Sequence, residues 1–189
     1  MLTEILAQIG RFSDNDVSLF EKKIKTRTVQ KGEILLHEGG MCQTVFYAIT
    51  GSFYQFNLKD EIEENIIDLH IEKDWFLSVQ SFIAQKPSEN TIKAYSDGTV
   101  LELSIESIHQ LIAESPAFFQ LGHILEQSKP KLYFFEKNLT PVQKYLYILE
   151  TKPTLFQKFP LKIIASYLKI TPETMSRVRE SIAKGKFIS

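Results

Sequence analysis

The amino-acid sequence predicts an α+β chain with a β-rich N-terminal part and a helical C-terminal part. Between residues 26 and 104, seven short runs of β-forming residues are divided by glycines, by an acidic tract at residues 59–64 and by Asp97–Gly98. After residue 104 the apolar residues recur at spacings of three and four, which is typical of helices. Closely spaced strands with turn signals between them favour a barrel or a sandwich in the N-terminal part.

Helices are predicted on both sides of the β-rich part. The first begins at Ser13, because Ser13 and Asp16 can form a capping box. Another covers residues 106–114, where the apolar residues lie on one side, and a later one opens with a capping box of Thr140 and Gln143. The predicted strands are Arg27–Val29, Glu33–Leu36, Val45–Thr50, Ser52–Leu58, Asn65–Ile71, Asn90–Tyr95 and Val100–Leu103.

Residues 116–139 are predicted to form a long helix with a dimer seam. The seam positions are separated alternately by three and four residues, which is the heptad pattern of a two-stranded coiled coil. Phe119, Ile124 and Phe134 widen the apolar face, so an amphipathic helix packed on its own domain is the alternative. Pro130 predicts a kink or a restart of the helix near this proline. The seam consists of Phe118, Leu121, Leu125, Ser128, Leu132, Phe135 and Leu139.

Residues 159–185 are predicted to form two short helices joined by a tight turn, which is a helix-turn-helix. Ala165 in the first helix is small enough to admit a crossing helix. The second helix begins with Thr171 as its N-cap and Pro172 at its first position, and Gly185 marks its end.

The second helix of this pair has an outer face suited to nucleic acid. Met175, Val178 and Ile182 recur at spacings of three and four and are predicted to face the core. On the outer side, Arg177 can form a bidentate bond to a guanine edge and Glu173 can accept a hydrogen bond from a cytosine amino group. A solvated helical hairpin is the alternative interpretation. The predicted DNA-binding residues are Thr171, Glu173, Thr174, Ser176, Arg177, Glu180, Lys162 and Lys184.

Charge is unevenly distributed along the chain, although the totals of 22 basic and 23 acidic residues nearly cancel. Residues 129–189 hold 12 Lys and Arg against four acids, a net of +8, while residues 1–128 hold 10 against 19, a net of −9. This asymmetry favours a polyanionic partner for the C-terminal part. With no apolar run long enough to span a membrane and no signal-peptide pattern, we expect a cytoplasmic protein with no membrane partner.

Enzymatic and metal-binding patterns find little support in the sequence. The single cysteine, Cys42, excludes an internal disulfide, and the four histidines do not stand at metal-ligand spacing. No glycine-rich loop of the phosphate-binding type is present. We therefore expect no catalytic residues, no metal and no cofactor. One acidic cluster could bind a cation or be a solvated loop: Asp60, Glu61, Glu63 and Glu64.

Taken in order, these features resemble the Crp/Fnr family of bacterial transcription regulators. The segment from Pro172 to Arg177 is the most specific, and in the family its glutamate and arginine read base edges, which implies those roles for Glu173 and Arg177. The four stretches that carry the resemblance are Lys31-Gly32-Glu33, Tyr47-Ala48-Ile49-Thr50-Gly51, Val100-Leu101-Glu102-Leu103-Ser104 and Pro172-Glu173-Thr174-Met175-Ser176-Arg177.

The resemblance covers nearly the full chain and implies its domain organisation. Residues 1–115 would form a sensory domain with the double-stranded β-helix, or jelly roll, of cyclic-nucleotide-binding domains. Residues 116–139 would form a dimerisation helix, and residues 140–189 a winged-helix-like helix-turn-helix domain. The implied partners are double-stranded operator DNA and a second copy of the chain, with RNA polymerase as a further candidate.

The pairs that hold cyclic nucleotides in the family are not found here. Counted back without gaps from Val100, the Gly-Glu position holds Leu77-Ser78 and the arginine-containing position holds Ser88-Glu89. A cyclic phosphate needs a cation or several oriented N–H groups, so we expect a degenerate pocket that does not bind cyclic nucleotides. Apolar side chains fill this pocket or bind a less polar ligand. The candidate pocket residues are Trp75, Phe76, Ser78, Phe82, Ser88 and Glu89.

Lys169 occupies the turn position that the family usually gives to glycine. A positive φ there would cost a lysine roughly 1 kcal/mol relative to glycine. Any wing after the second helix is short, at most residues 186–189. The sequence thus predicts a homodimeric, sequence-specific DNA-binding transcription regulator. The alternative is a ligand-binding or protein-interaction module of the same architecture that no longer reads an operator.

Overall fold

The computed structural model describes residues 1–59, 63–127 and 139–184. The chain divides into two units. The first comprises Met1–Tyr54 and His70–Lys129, and the second comprises Gln55–Leu69 and Pro130–Ser189. In the described residues no helix is both long enough and apolar enough to cross a membrane.

The strands of the β-rich part lie in two four-stranded sheets. The strand order is β1-β8-β3-β6 in one sheet and β2-β7-β4-β5 in the other. Each of the seven predicted runs forms a strand, with boundaries that differ by no more than a few residues. The additional strand, β6, has only two residues, too few to produce a periodic pattern. The strands are β1 (Lys25–Val29), β2 (Ile34–Leu36), β3 (Thr44–Thr50), β4 (Phe53–Lys59), β5 (Glu63–His70), β6 (Trp75–Phe76), β7 (Thr91–Ala94) and β8 (Gly98–Ser104).

The core of the first unit is rich in stacked aromatic rings. The Phe76 ring lies 5.4 Å from that of Phe46, 5.0 Å from that of Phe53 and 4.8 Å from that of His70, measured between centroids. Phe53 and Phe76 are completely buried. Aromatic pairs at these distances add stability beyond the burial of apolar area, so this stack anchors the unit.

Two turns of the first unit meet at Gly51 and Gly98. Gly51 has a φ of 93°, and a Cβ on it would lie 2.8 Å from the Gly98 Cα. A Cβ on Gly98 would lie 2.5 Å from the carbonyl oxygen of Thr50. The backbones approach too closely for any side chain, which explains physically why the predicted turns at these positions use glycine.

Helices α1 (Leu2–Ala7) and α2 (Asp14–Lys23) precede the strands. The capping box predicted for α2 is confirmed, because the Asp16 N–H donates to Ser13 Oγ over 3.2 Å and the Ser13 N–H donates to the Asp16 carboxylate over 2.9 Å. Hydrogen bonds from the Ser13 and Ser115 side chains lower the pKa of the Asp16 carboxyl. Helix α1, which has six residues, was not predicted.

The first unit also contains α3 (Val79–Ala84) and α4 (Ile105–Glu114), and α4 confirms the helix predicted at residues 106–114. A 3-10 helix (Pro116–Leu121) and then α5 (Gly122–Gln127) follow, where a continuous helix from residue 116 was predicted. The 3-10 turn allows Phe118 and Leu121 to enter the core of the unit, with exposed fractions of 0% and 5%.

The helices of the second unit within residues 139–184 are α6 (Pro141–Thr151), α7 (Leu155–Lys158), α8 (Leu161–Tyr167) and α9 (Pro172–Ala183). The Thr140–Gln143 capping box at the start of α6 is confirmed, and α6 ends just before Lys152. The one-turn helix α7 was not predicted. Buried side chains that include Ile148, Ile164 and Met175 form the core of these helices.

Candidate nucleic-acid interface

Helices α8 and α9 form the predicted helix-turn-helix, and the turn between them is a Schellman motif. The Ile170 N–H donates to the Ala165 carbonyl over 3.0 Å, and the Lys169 N–H donates to the Ser166 carbonyl over 3.1 Å. Lys169 takes the left-handed position, with a φ of 54°. The expected positive φ is therefore present, at a cost of roughly 1 kcal/mol relative to glycine.

Two residues fix the first helix from within the unit. Ala165 is completely buried, which fits its predicted role at the crossing with the second helix. The Lys144 Nζ of α6 donates to the Leu168 carbonyl at the end of α8 over 2.9 Å. An ammonium group there satisfies an open carbonyl and interacts favourably with the helix dipole. Burial lowers the pKa of Lys144.

The start of α9 follows the sequence prediction. Thr171 is its N-cap, because the Thr171 Oγ1 accepts a hydrogen bond from the Thr174 N–H over 3.2 Å, and Pro172 takes the first position. Glu173 lies in the first turn, where the helix dipole favours a negative charge. Hydrogen bonds to its own backbone N–H and to the Thr171 side chain lower the pKa of Glu173.

The inner and outer sides of α9 are clearly separated. Met175 and Val178 are buried and Ile182 is half-buried, as predicted. Thr174 is half-buried, and the Lys184 ammonium pairs with the Glu180 carboxylate. The remaining predicted DNA-binding residues all have exposed side chains: Thr171, Glu173, Ser176, Arg177, Glu180, Lys162 and Lys184. The outer face thus combines a guanidinium, carboxylates and hydroxyls on one rigid helix.

The sequence did not predict that β5 contacts the turn between α8 and α9. The Ile66 N–H donates to Ser166 Oγ over 3.1 Å, and Lys169 Nζ donates to the Ile66 carbonyl over 2.6 Å. Lys169 Nζ also donates to Asn65 Oδ1. Burial lowers the pKa of Lys169 to about 8. The only signal in the sequence was the lysine itself, at a turn position that favours glycine.

The candidate pocket residues are partly brought together. Trp75 and Phe76 are buried in the core of the first unit, and the Trp75 ring lies 4.9 Å from that of Tyr47. Ser78 and Ser88 are buried with their hydroxyl oxygens 2.9 Å apart. By contrast, the Phe82 side chain is half-buried and that of Glu89 is exposed. Two of the candidate pocket residues are therefore hydrogen-bonded to each other through their hydroxyl groups.

The residues of the predicted dimer seam lie in different environments. Phe118 and Leu121 are buried in the core of their own unit, so their apolar spacing serves intrachain packing. Leu125 and Leu139 are half-buried. Ser128, Leu132 and Phe135 lie outside the described residues. The same is true of the predicted kink at Pro130, the acidic Asp60 and Glu61, Gly185 at the end of the second helix, and the short wing at residues 186–189.

Comparisons with known proteins agree with this architecture. Residues 26–115 match the family model of the cyclic nucleotide-binding domain. Among solved structures, FixK2 from Bradyrhizobium japonicum is 17% identical with a TM-score of 0.68, and the match covers 88% of this chain and 87% of that chain. A search of curated proteins finds no significant match.

Two further structures match over similar lengths. The cyclic-di-GMP-responsive global regulator CLP of Xanthomonas campestris is 18% identical, with a TM-score of 0.63 and coverage of 92% of this chain and 93% of that chain. A protein from Eubacterium rectale, described as a transcriptional regulator of the Crp/Fnr family, is 19% identical, with a TM-score of 0.62 and coverage of 92% and 85%. The predicted α+β fold and its resemblance to Crp/Fnr regulators are confirmed.

Proposed function

We propose that this chain, which has the fold of the Crp/Fnr regulators and matches the cyclic nucleotide-binding domain over residues 26–115, is a homodimeric, sequence-specific DNA-binding transcription regulator. The observation that carries the proposal is the outer face of α9. Met175 and Val178 fix the inner side of this helix, while Glu173 and Arg177 are exposed on the outer side. A helix of this kind enters the major groove, which is about 12 Å wide.

Within this proposal the exposed residues have distinct roles. Arg177 makes a bidentate bond to a guanine edge, and Glu173 accepts a hydrogen bond from a cytosine amino group. Lys162 and Lys184 neutralise phosphates, which supplies affinity without sequence preference. In a symmetric dimer, two copies of α9 would read half-sites about 34 Å apart, one turn of the duplex. RNA polymerase is a further proposed partner of such a regulator.

A selection of genomic DNA fragments by the purified protein tests the proposal. The selected sequence and a scrambled duplex are then compared for wild type and for Arg177→Ala. We expect Arg177→Ala to lose about 1–3 kcal/mol on the selected site and little on the scrambled one, because a bidentate guanine contact discriminates between bases.

Lys184→Ala is the matched control for this measurement. It removes a phosphate contact, so it should weaken binding to both duplexes similarly and reduce the salt dependence. Equal losses on both duplexes for Arg177→Ala would contradict base reading. Wild-type protein that binds both duplexes equally and weakly would favour a ligand-binding or protein-interaction module instead.

We also propose that the sensory domain does not bind cyclic nucleotides. The position that would meet the phosphate holds Ser88, which supplies no cation and whose hydroxyl is bonded to that of Ser78. The rings of Trp75 and Phe76 take part in the core, which supports a filled pocket. Glu89 adds a negative charge next to Ser88, and a cyclic phosphate would be repelled by it.

A further inference from the structure

The contact between β5 and the turn of the helix-turn-helix, which we name the turn latch, consists of Asn65 and Ile66 on one side and Ser166 and Lys169 on the other. Three hydrogen bonds hold it, two from Lys169 Nζ and one from the Ile66 N–H to Ser166 Oγ. Asn65 is itself oriented by its amide, which donates to Asn57 Oδ1 over 2.8 Å. The turn latch is therefore a specific contact in which Asn65 is held in the orientation that accepts the hydrogen bond from Lys169.

The turn latch covers an exposed strand edge. In the order β2-β7-β4-β5, β5 is the edge strand of its sheet. Edge strands present unpaired N–H and C=O groups that need partners. Here the N–H and the C=O of Ile66 are both taken by the helix-turn-helix.

The residues of this contact also line an open cleft of about 760 Å³ that includes two of the proposed DNA-binding residues. On one side the cleft is lined by Lys162 and Thr171, two of the proposed DNA-binding residues. On the other side it is lined by the charged side chains of the β4–β5 hairpin, the carboxylates of Glu63 and Glu64 and one cation, Lys59. In a helix-turn-helix the first helix crosses the DNA backbone and the start of the second enters the groove. A phosphate group placed against Lys162 and Thr171 would therefore meet these two carboxylates.

We propose that the hairpin of β4 and β5 is an intramolecular competitor of duplex DNA, held against the helix-turn-helix by the turn latch and displaced when DNA binds. This inference rests on the proposed DNA-binding function. The apparent affinity for DNA is the intrinsic affinity multiplied by the fraction of molecules that are unlatched. If one molecule in about ten is unlatched, complete release raises the affinity about tenfold.

Lys169 is suited to a contact that must open. Within the described part of the chain, its ammonium group bonds only to neutral oxygens of β5 and is partly buried, so among these residues the latch holds a desolvated charge without a bonded counter-charge.

The inference is tested by measuring the affinities of variants of the turn latch for the selected and the scrambled duplex. Asn65→Ala removes one acceptor and Lys169→Gly removes both Nζ bonds while it suits the positive φ of the turn. We expect each to bind DNA three- to tenfold more tightly, with equal factors on the selected and the scrambled duplex, because the hairpin competes with any duplex. Both variants open the same contact, so the double variant should gain no more than the better single one.

The matched control is Thr151→Ala, which also removes a side-chain hydrogen bond from the second unit but lies outside the cleft. It should leave both affinities unchanged. Unchanged or weaker binding by Asn65→Ala and Lys169→Gly would overturn the inference. The ratio of the wild-type affinities for the two duplexes tests the proposed function separately, so either idea can fail alone.

Amide hydrogen exchange on the wild-type protein provides a second measurement that does not depend on how the variants fold. In the latched form the Ile66 N–H is protected by Ser166. Saturating DNA should make the segment at residues 63–69 exchange faster, because the hairpin has left the helix-turn-helix. Unchanged or increased protection of this segment in the complex would overturn the inference.

Discussion

Lys169 combines a backbone cost with a side-chain gain at a single position. Its left-handed φ of 54° favours glycine, but only a long donor side chain can reach the carbonyl of Ile66 from this turn. The hydrogen bonds of the lysine side chain to β5 therefore offset the backbone strain at this position. Glycine would form the same Schellman turn with no such contact.

The Lys169 ammonium is expected to titrate near pH 8. Burial lowers its pKa to about 8, against about 10.4 for a lysine in water. Between these values the unlatched form binds more protons than the latched form, so raising the pH across this interval strengthens the latch. The charged groups that line the same cleft are Lys59, Glu63, Glu64 and Lys162.

Competitive labelling with limiting acetic anhydride between pH 7 and 11 measures this titration. Lys169 should show a midpoint of about 8 in the wild-type protein. In Asn65→Ala the midpoint should move upwards, since a released side chain returns to water. A midpoint that is the same in both proteins would argue against burial by the latch.

Cyclic AMP and cyclic GMP are expected not to bind the sensory domain. Ser88 offers no cation, and the Ser78 hydroxyl is too short to replace a glutamate at the ribose. Calorimetry with either nucleotide at micromolar concentration should show no heat of binding, and the DNA affinity should not change. A micromolar dissociation constant together with altered DNA affinity would refute this expectation and the gapless counting on which it is based.

Features that depend on residues close together in the sequence were predictable. The N-cap at Thr171 and the buried positions Met175 and Val178 follow from spacing over a few residues. The partners of Lys169 lie 104 and 103 residues earlier in the chain, and no periodic pattern links them. Tertiary contacts of this kind require the structure.

At the scale of the element, capping boxes determined where helices begin. Both predicted boxes are present, at the starts of α2 and α6. The start of the helix predicted at residues 116–139 differs from the prediction, because residues 116–121 form a 3-10 helix. A spacing of three and four is common to a dimer seam and to a segment that packs on its own domain, so periodicity could not separate the two.

The stabilisation of the first unit by the α2 capping box should be lost in acid. The folded-state pKa of Asp16 is lowered by its hydrogen bonds, so its contribution is fully present above the unfolded value of about 3.9 and is lost as the pH falls through the folded value. Asp16→Asn should lower the free energy of unfolding by about 1 kcal/mol at pH 7 and by less below pH 4.

Urea unfolding followed by the fluorescence of Trp75, the single tryptophan, reports on the first unit and measures this difference. Ser18→Ala is the matched control, since the Ser18 hydroxyl bonds within α2 but outside the capping box. A loss for Asp16→Asn that stays constant from pH 7 to pH 3.5 would contradict the role of the carboxylate.

At the scale of the whole molecule, the predicted dimer is the main property still to be measured. Leu125→Lys combined with Leu132→Lys should give monomers in analytical sedimentation, because a charge on an apolar seam is left without a partner. Phe118 and Leu121 are unsuitable for this test because they are fully part of the core of the first unit, whereas Leu125 packs against that core and is half-buried.

Phe119→Lys is the control for the seam. Phe119 is 70% exposed and stands outside the heptad positions, so the dimer should persist in this variant. The opposite result, with dimers lost in Phe119→Lys and kept in the double variant, would replace the predicted seam by another surface.

The turn latch also has a kinetic consequence. An obstacle that must leave before docking slows the encounter, whereas a complex that has already formed no longer contains it. The affinity lost to the latch should therefore appear as slower association with DNA at an unchanged dissociation rate. The residence time on an operator would then depend on the contacts of the helix-turn-helix with DNA, and the association rate on how often the three hydrogen bonds at the edge of β5 open.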